Sequence, residues 1–274
     1  MRPNEVADSF GVREYPVLRV GLDAPWGWLA AGWADFKRAP FISLFYGAVF
    51  VAVASIILLC LSHYGMQSLM LVFAAGFLLI APLLAVGLYE MSRRLELGLP
   101  VTLRDVAFVQ TASTGQLMFL GLLLGFFFLV WVDVAIVIFA LFFGPQPFPP
   151  LDAFIPTLLL TWFGVAMLVI GTMAGGVMAA LVFSATVVSI PLLMTRRVNA
   201  VTAMAASVQA VSINAGPLFL WGTIIVVLMI LGFAAGLIGL ALVFPLLAHA
   251  SWHAFRSLMS DAPARLTPEQ SRPA

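Results

Sequence analysis

The sequence predicts an all-α polytopic membrane protein: six transmembrane helices with three cytoplasmic interfacial amphipathic helices, in a parallel three-fold repeat of hairpins. Three observations predict it. Apolar residues occupy 63 % of the 274 positions and charged residues 9 %, against about 45–50 % and 25 % in soluble domains. The mean hydropathy of +1.10 leaves too few polar side chains to cover a water-facing surface. Apolar runs recur at the roughly 20 residues needed to cross a hydrocarbon core, and the basic residues gather in alternate loops. The net charge of +1 and pI near 8.0 say nothing about a nucleic-acid partner, and none is expected. A lone cysteine, Cys60, excludes an intramolecular disulfide.

Residues 1–22 read as a charged cytoplasmic tail without the apolar h-region of a signal peptide. Residues 23–259 form the membrane domain, and 260–274 a disordered cytoplasmic tail. The domain opens with an interfacial helix, in which Asp23 stands as N-cap and Pro25 in the first turn. Trp26, Leu29, Trp33 and Phe36 recur at spacings of 3, 4 and 3, and Asp35, Lys37 and Arg38 mark the more polar side. Trp26, Trp28 and Trp33, with Trp252 near the other end of the chain, are expected as anchors at the headgroup boundary.

Spans follow at 41–62 and 68–89, divided by the polar break from His63 to Ser68. The middle inner loop carries a weaker capping pair, Thr102 and Asp105. The third span, 117–143, is interrupted only by Asp133, and the Pro-rich FGPQPFPPLDAF leads to a fourth at 158–190. Asn199 then caps a helix in which Val201, Met204, Val208 and Val211 repeat the 3, 4, 3 spacing, stopping at AGP. The last apolar stretch, 217–255, divides at LGFAAG into 217–233 and 236–255.

This count is consistent with the charges. Arg2, Arg13, Arg19, Lys37 and Arg38 precede the first span; Arg93, Arg94 and Arg104 lie between the second and third; Arg196 and Arg197 follow the fourth; Arg256, Arg265 and Arg272 end the chain. All thirteen fall on one side, whereas Asp152 is the only charge in the opposite loops. Basic residues are retained in the cytoplasm, so both termini are expected there. The string PLLAVGLYEMSRR from Pro82 aligns with PLLAHASWHAFRS from Pro245, matching Tyr89 with Trp252, Glu90 with His253 and Arg93 with Arg256. A third PLL opens at Pro191 and reaches Arg196. These strings define the repeat, whose copies share one orientation.

DAPWGWLAAGWADFKRAP, IAPLLAVGLYEMSRRLELGLPVTLRD, SIPLLMTRRVNAVTA and VFPLLAHASWHAFRSLM together resemble the bacterial integral membrane proteins catalogued as domain of unknown function 2189. The similarity spans about residues 17 to 260, with the two outermost strings the most specific. The resemblance implies a six-helix inner-membrane protein without an established activity. Some members are labelled cytochrome c oxidase subunits, but the three histidines of this chain do not make a heme-copper ligand set.

Among residues that could carry chemistry, Asp133 stands out, because an aspartate at a helix centre costs roughly 2.5–3.5 kcal/mol on insertion scales. With Glu90 it would form the charged steps of an ion or solute pathway; otherwise it snorkels or bonds to a neighbour. His249 and His253, one turn apart, can give two metal ligands, with Glu90 as a third if the spans meet. The alternative is an interfacial cluster of Trp252, His253 and Arg256. Gly171, Gly175 and Ala179 form a small-xxx-small stripe expected to pack against another helix, and Pro82, Pro191 and Pro245 are expected to kink their helices. There is no dinucleotide fingerprint, P-loop, zinc-protease motif or CxxC, so no enzymatic activity and no cofactor are expected. The leading expectation is a non-catalytic accessory or membrane-organising protein. A small-solute or ion transporter and a heme or metal site at His249 and His253 are the alternatives, and the bilayer, other membrane subunits or a second copy are the expected partners.

Overall fold

A computed structural model describes residues 15–144 and 151–259. The described residues form twelve helices and no strand: α1 (Ala24–Arg38), α2 (Pro40–His63), α3 (Leu69–Leu84), α4 (Val86–Glu96), α5 (Leu103–Ala107), α6 (Thr114–Phe143), α7 (Leu151–Leu160), α8 (Trp162–Thr186), α9 (Ser189–Thr195), α10 (Ala200–Ile213), α11 (Ala215–Ala234) and α12 (Leu240–Leu258). Four runs are long and apolar enough to cross a membrane: α2, α6, α8 continued through α9, and α11. The pair α3–α4, bent by 41°, makes a fifth if counted as one broken span. The sixth expected span corresponds to α12, whose second half carries His249, Ser251, His253 and Arg256 and lowers its hydropathy. The tail expected at 260–274, the middle of the Pro-rich loop, and Arg2, Arg13, Arg265 and Arg272 lie outside the described residues.

The local signals act where the sequence puts them. Asn199 accepts from the Thr202 amide at 2.8 Å and starts α10. Thr102 and Asp105 form a reciprocal capping box on α5, satisfying donors that a helix start leaves free. Asp23 occupies the N-cap of α1 with Pro25 behind it, although its side chain makes no capping bond. The division of the last stretch falls at Gly236, whose φ of +68° suits a residue without Cβ. Of the three PLL prolines, Pro82 precedes the α3–α4 bend, Pro191 follows the α8–α9 break, and Pro245 sits inside a continuous α12.

The amphipathic phases differ from expectation. In α1 the buried side runs through Pro25, Trp28, Gly32, Asp35 and Phe36, while Trp26 and Trp33 face outward. Gly32 sets this phase, because a Cβ there would lie 2.6 Å from the Ala250 backbone nitrogen, and only glycine allows α1 so close to α12. Asp35, expected on the polar side, is therefore buried. In α10 the buried side is Ala203, Ala206 and Ala210, while Val201 and Val208 are exposed. The N-terminal segment is docked rather than free: Leu18 donates to Leu258 O at 2.8 Å, and Val20 donates to Asn214 Oδ1 at 2.9 Å.

Candidate functional site

The polar residues of the fold converge at one end, where α1, α4, the start of α2 and the second half of α12 meet. His249 is fully buried there. Its Nδ1 lies 2.7 Å from Ser92 Oγ on α4 and its Nε2 3.1 Å from Ser43 Oγ on α2. One turn along α12, His253 Nε2 meets Asp35 Oδ2 of α1 at 2.7 Å.

Ser43, His249 and Ser92 form one hydrogen-bonded cluster and His253 with Asp35 a second, one turn away, and together they draw on four helices. Burial works to raise the pKa of Asp35, but the bond from His253, the nearby Ser92 hydroxyl and the field of His253 outweigh it and hold the carboxyl below its ordinary 3.8.

A second layer closes the base. Glu90, 5 % exposed, accepts from Arg93 Nε at 2.7 Å and Nη2 at 2.8 Å and from Arg94 Nε at 3.0 Å. Arg94 also pairs with Asp105 at 2.9 Å. Glu96 receives Arg256 Nε and the Trp252 indole N–H, each at 3.0 Å. Among the described residues, the only buried side-chain nitrogen or oxygen without a partner is Trp221 Nε1.

The sequence-derived candidates separate as follows. His249 and His253 share a face but bond to different partners, and among the described residues no three His, Cys, Asp or Glu side chains form a group able to hold a metal. Glu90 is consumed by its arginines. Asp133 lies far from it along the fold, exposed on α6, with no hydrogen bond or ion pair among the described residues. The structure does not bring Asp133 and Glu90 together. Of the four expected interface tryptophans, Trp26 and Trp33 are exposed, whereas Trp28 and Trp252 are a correction: both are buried. Trp28 meets Trp221 edge to face at 5.7 Å, and Trp252 is held by Glu96. Ser43, Ser92 and Asp35 were not singled out as site residues. Isolated serines in apolar helices carry no spacing signal, and Asp35 looked like a solvated neighbour of Lys37 and Arg38.

The opposite half of the bundle holds an apolar cleft of about 540 Å³ between α3, α6, α7, α8 and α11. Among its lining side chains only Ser68 and Thr172 carry a hydroxyl, and the indole N–H of Trp131 in its wall is bonded to Val72 O at 2.8 Å. Gly171, Gly175, Gly176 and Ala179 line this cleft. The expected packing stripe therefore borders space: a Cβ added at Gly171 or Gly176 would meet nothing within 4 Å, and only Gly175 touches a ring, that of Trp131.

The fold and this base define an α-helical integral membrane protein whose buried polar side chains bond to one another and to backbone within the bundle. Residues 69–195 match the model of a family described as predicted integral membrane protein, domain of unknown function 2189. The match makes this region of the chain similar to that family. It is narrower than the similarity read from the sequence and excludes both outermost strings. No curated protein and no solved structure matches the chain.

Proposed function

We propose that this is a non-catalytic protein of the bacterial inner membrane, an accessory or membrane-organising component that holds lipid acyl chains in its apolar cleft. The carrying observation is that cleft: its walls offer almost no hydrogen-bonding group, and a dry apolar cavity takes apolar guests. In this reading α12 is the sixth span. Its 19 residues measure about 28 Å at the α-helical rise, enough to complete three hairpins related by the PLL strings. The polar base, with Arg93, Arg94, Arg196, Arg197 and Arg256 near it, then faces the cytoplasm together with both termini. Trp26 and Trp33, beside Lys37 and Arg38, make α1 an interfacial helix that rests against headgroups.

Native mass spectrometry of protein extracted in mild detergent tests this reading. Retained lipid that is lost on filling the cleft with Gly171→Leu and Gly176→Leu is the expected result. An ion or solute flux in proteoliposomes that vanishes in Asp133→Asn would replace it with carriage.

A further inference from the structure

The cations around the polar base are not equally engaged. Arg93 and Arg94 are taken by Glu90, Arg94 also by Asp105, and Arg256 by Glu96, so these charges are answered within the fold. Lys37 and Arg38, at the elbow between α1 and α2, are exposed. Lys37 makes no hydrogen bond or ion pair among the described residues. Arg38, 62 % exposed, approaches Asp35 only at 3.8 Å. Asp35 is the one acid in α1 and α2, and it is turned inward to His253.

The depth of the elbow follows from α2, which runs for 24 residues without an Asp, Glu, Lys or Arg. At the α-helical rise it measures about 36 Å, against the roughly 30 Å of a hydrocarbon core. Lys37 and Arg38 precede it by less than one turn, so they stand at headgroup level where α2 crosses. Exposed aromatic side chains bracket them: Trp33, stacked on Phe36 at 5.4 Å, and Phe41, 87 % exposed. Aromatic rings beside cations anchor helices at a membrane surface. Helical side chains lean toward the N-terminus, which carries Lys37 and Arg38 back over the exposed Ala34, three and four residues before them. The small Ala34 side chain leaves the space between the two long ones open.

We propose that this elbow binds the headgroup of an anionic phospholipid, with its phosphate over Ala34; the proposal rests on the reading of α1 as an interfacial helix. A zwitterionic headgroup carries a cation of its own that answers its phosphate, whereas an anionic one leaves that charge to the protein. The Arg38 guanidinium offers a planar fork to two phosphate oxygens, and the Lys37 ammonium adds a point charge.

Native mass spectrometry in mild detergent tests this, with phosphatidylglycerol and phosphatidylethanolamine of matched acyl chains offered in equal amounts. The unaltered chain is expected to retain more phosphatidylglycerol. Lys37→Gln with Arg38→Gln should cut that preference about tenfold. Ala34→Glu, which keeps both cations but gives them an acid one turn away, should cut it as well. Arg197→Gln, at an exposed cation with no aromatic residue in its loop 196–199, should leave it unchanged. Gly171→Leu with Gly176→Leu should lower the total lipid retained and leave the preference intact, so failure of the cleft reading and failure of this one are read separately. Equal retention of the two lipids, a preference that survives both elbow variants, an equal loss from Arg197→Gln, or loss of the preference in the cleft variant would each overturn the proposal. All the substituted elbow side chains are exposed, and the expected loss comes with the melting temperature of the parent.

Discussion

The polar base and the apolar cleft sit at opposite ends of the same bundle, and glycine acts differently in each. At the base, Gly32 brings α1 against the backbone of α12, and the closeness lets Asp35 reach His253. At the cleft, a Cβ at Gly171 or Gly176 would meet nothing within 4 Å, although α8 packs elsewhere against α6, α7 and α10. Small residues permit close approach but do not cause it. At the base the close approach also brings polar partners from both helices together, whereas at the cleft both sides are apolar and lipid competes on equal terms.

Substitutions can break this contrast, beginning at the base. Gly32→Leu drives a side chain into the Ala250 backbone and should lower stability by about 3 kcal/mol or more, read as a fall in melting temperature in detergent with Trp28 and Trp252 fluorescence reporting the loosening. His249→Ala removes a hydrogen-bond partner from the Ser43 and Ser92 hydroxyls and leaves a void, for an expected loss of about 2–3 kcal/mol in the same melt. His249→Gln, which restores a donor and an acceptor, should recover part of it.

The acid limb gives a smaller effect. Because the Asp35 carboxyl is held below 3.8 in the fold, its contribution is fully present above that value and is lost as pH falls through the lower folded value. Melting temperature should therefore drop as pH is lowered below about 4, and Asp35→Asn should flatten that part of the curve. The smallest effect belongs to the cleft. Gly171→Leu enters open space and replaces a helix-interior glycine, so stability should stay level or rise by up to about 1 kcal/mol, while the lipid retained in native mass spectrometry declines. A severe loss there would erase the difference between the two regions.

Much of the fold was legible because its signals are local. Asn199, the Thr102–Asp105 box and the turn at Gly236 act within a few residues of themselves. The site was less legible. The pair His249 and His253 was visible as one helix face, but their partners come from α1, α2 and α4, over 150 residues away in sequence. Glu90 was visible as a buried acid, and its arginines at i+3 and i+4 were in plain view on the same helix.

The sequence by itself determined the class of protein, the position of each long apolar run and the segregation of its charges, since hydropathy, caps and loop charge are properties of consecutive residues. Only the tertiary structure decided which way each helix faces. In water an apolar stripe points to the core, but in a bilayer the core and the surroundings are both apolar, so the periodicity of Trp26, Leu29 and Trp33, or of Val201 and Val208, marks a face without saying what it touches. In α1 and α10 Trp26, Trp33, Val201 and Val208 of the predicted stripes turned outward, while Gly32 and Asp35 with Phe36, and Ala203 with Ala206, turned in. Close approach and hydrogen bonding chose the inner face, and both are relations between helices that no single segment carries.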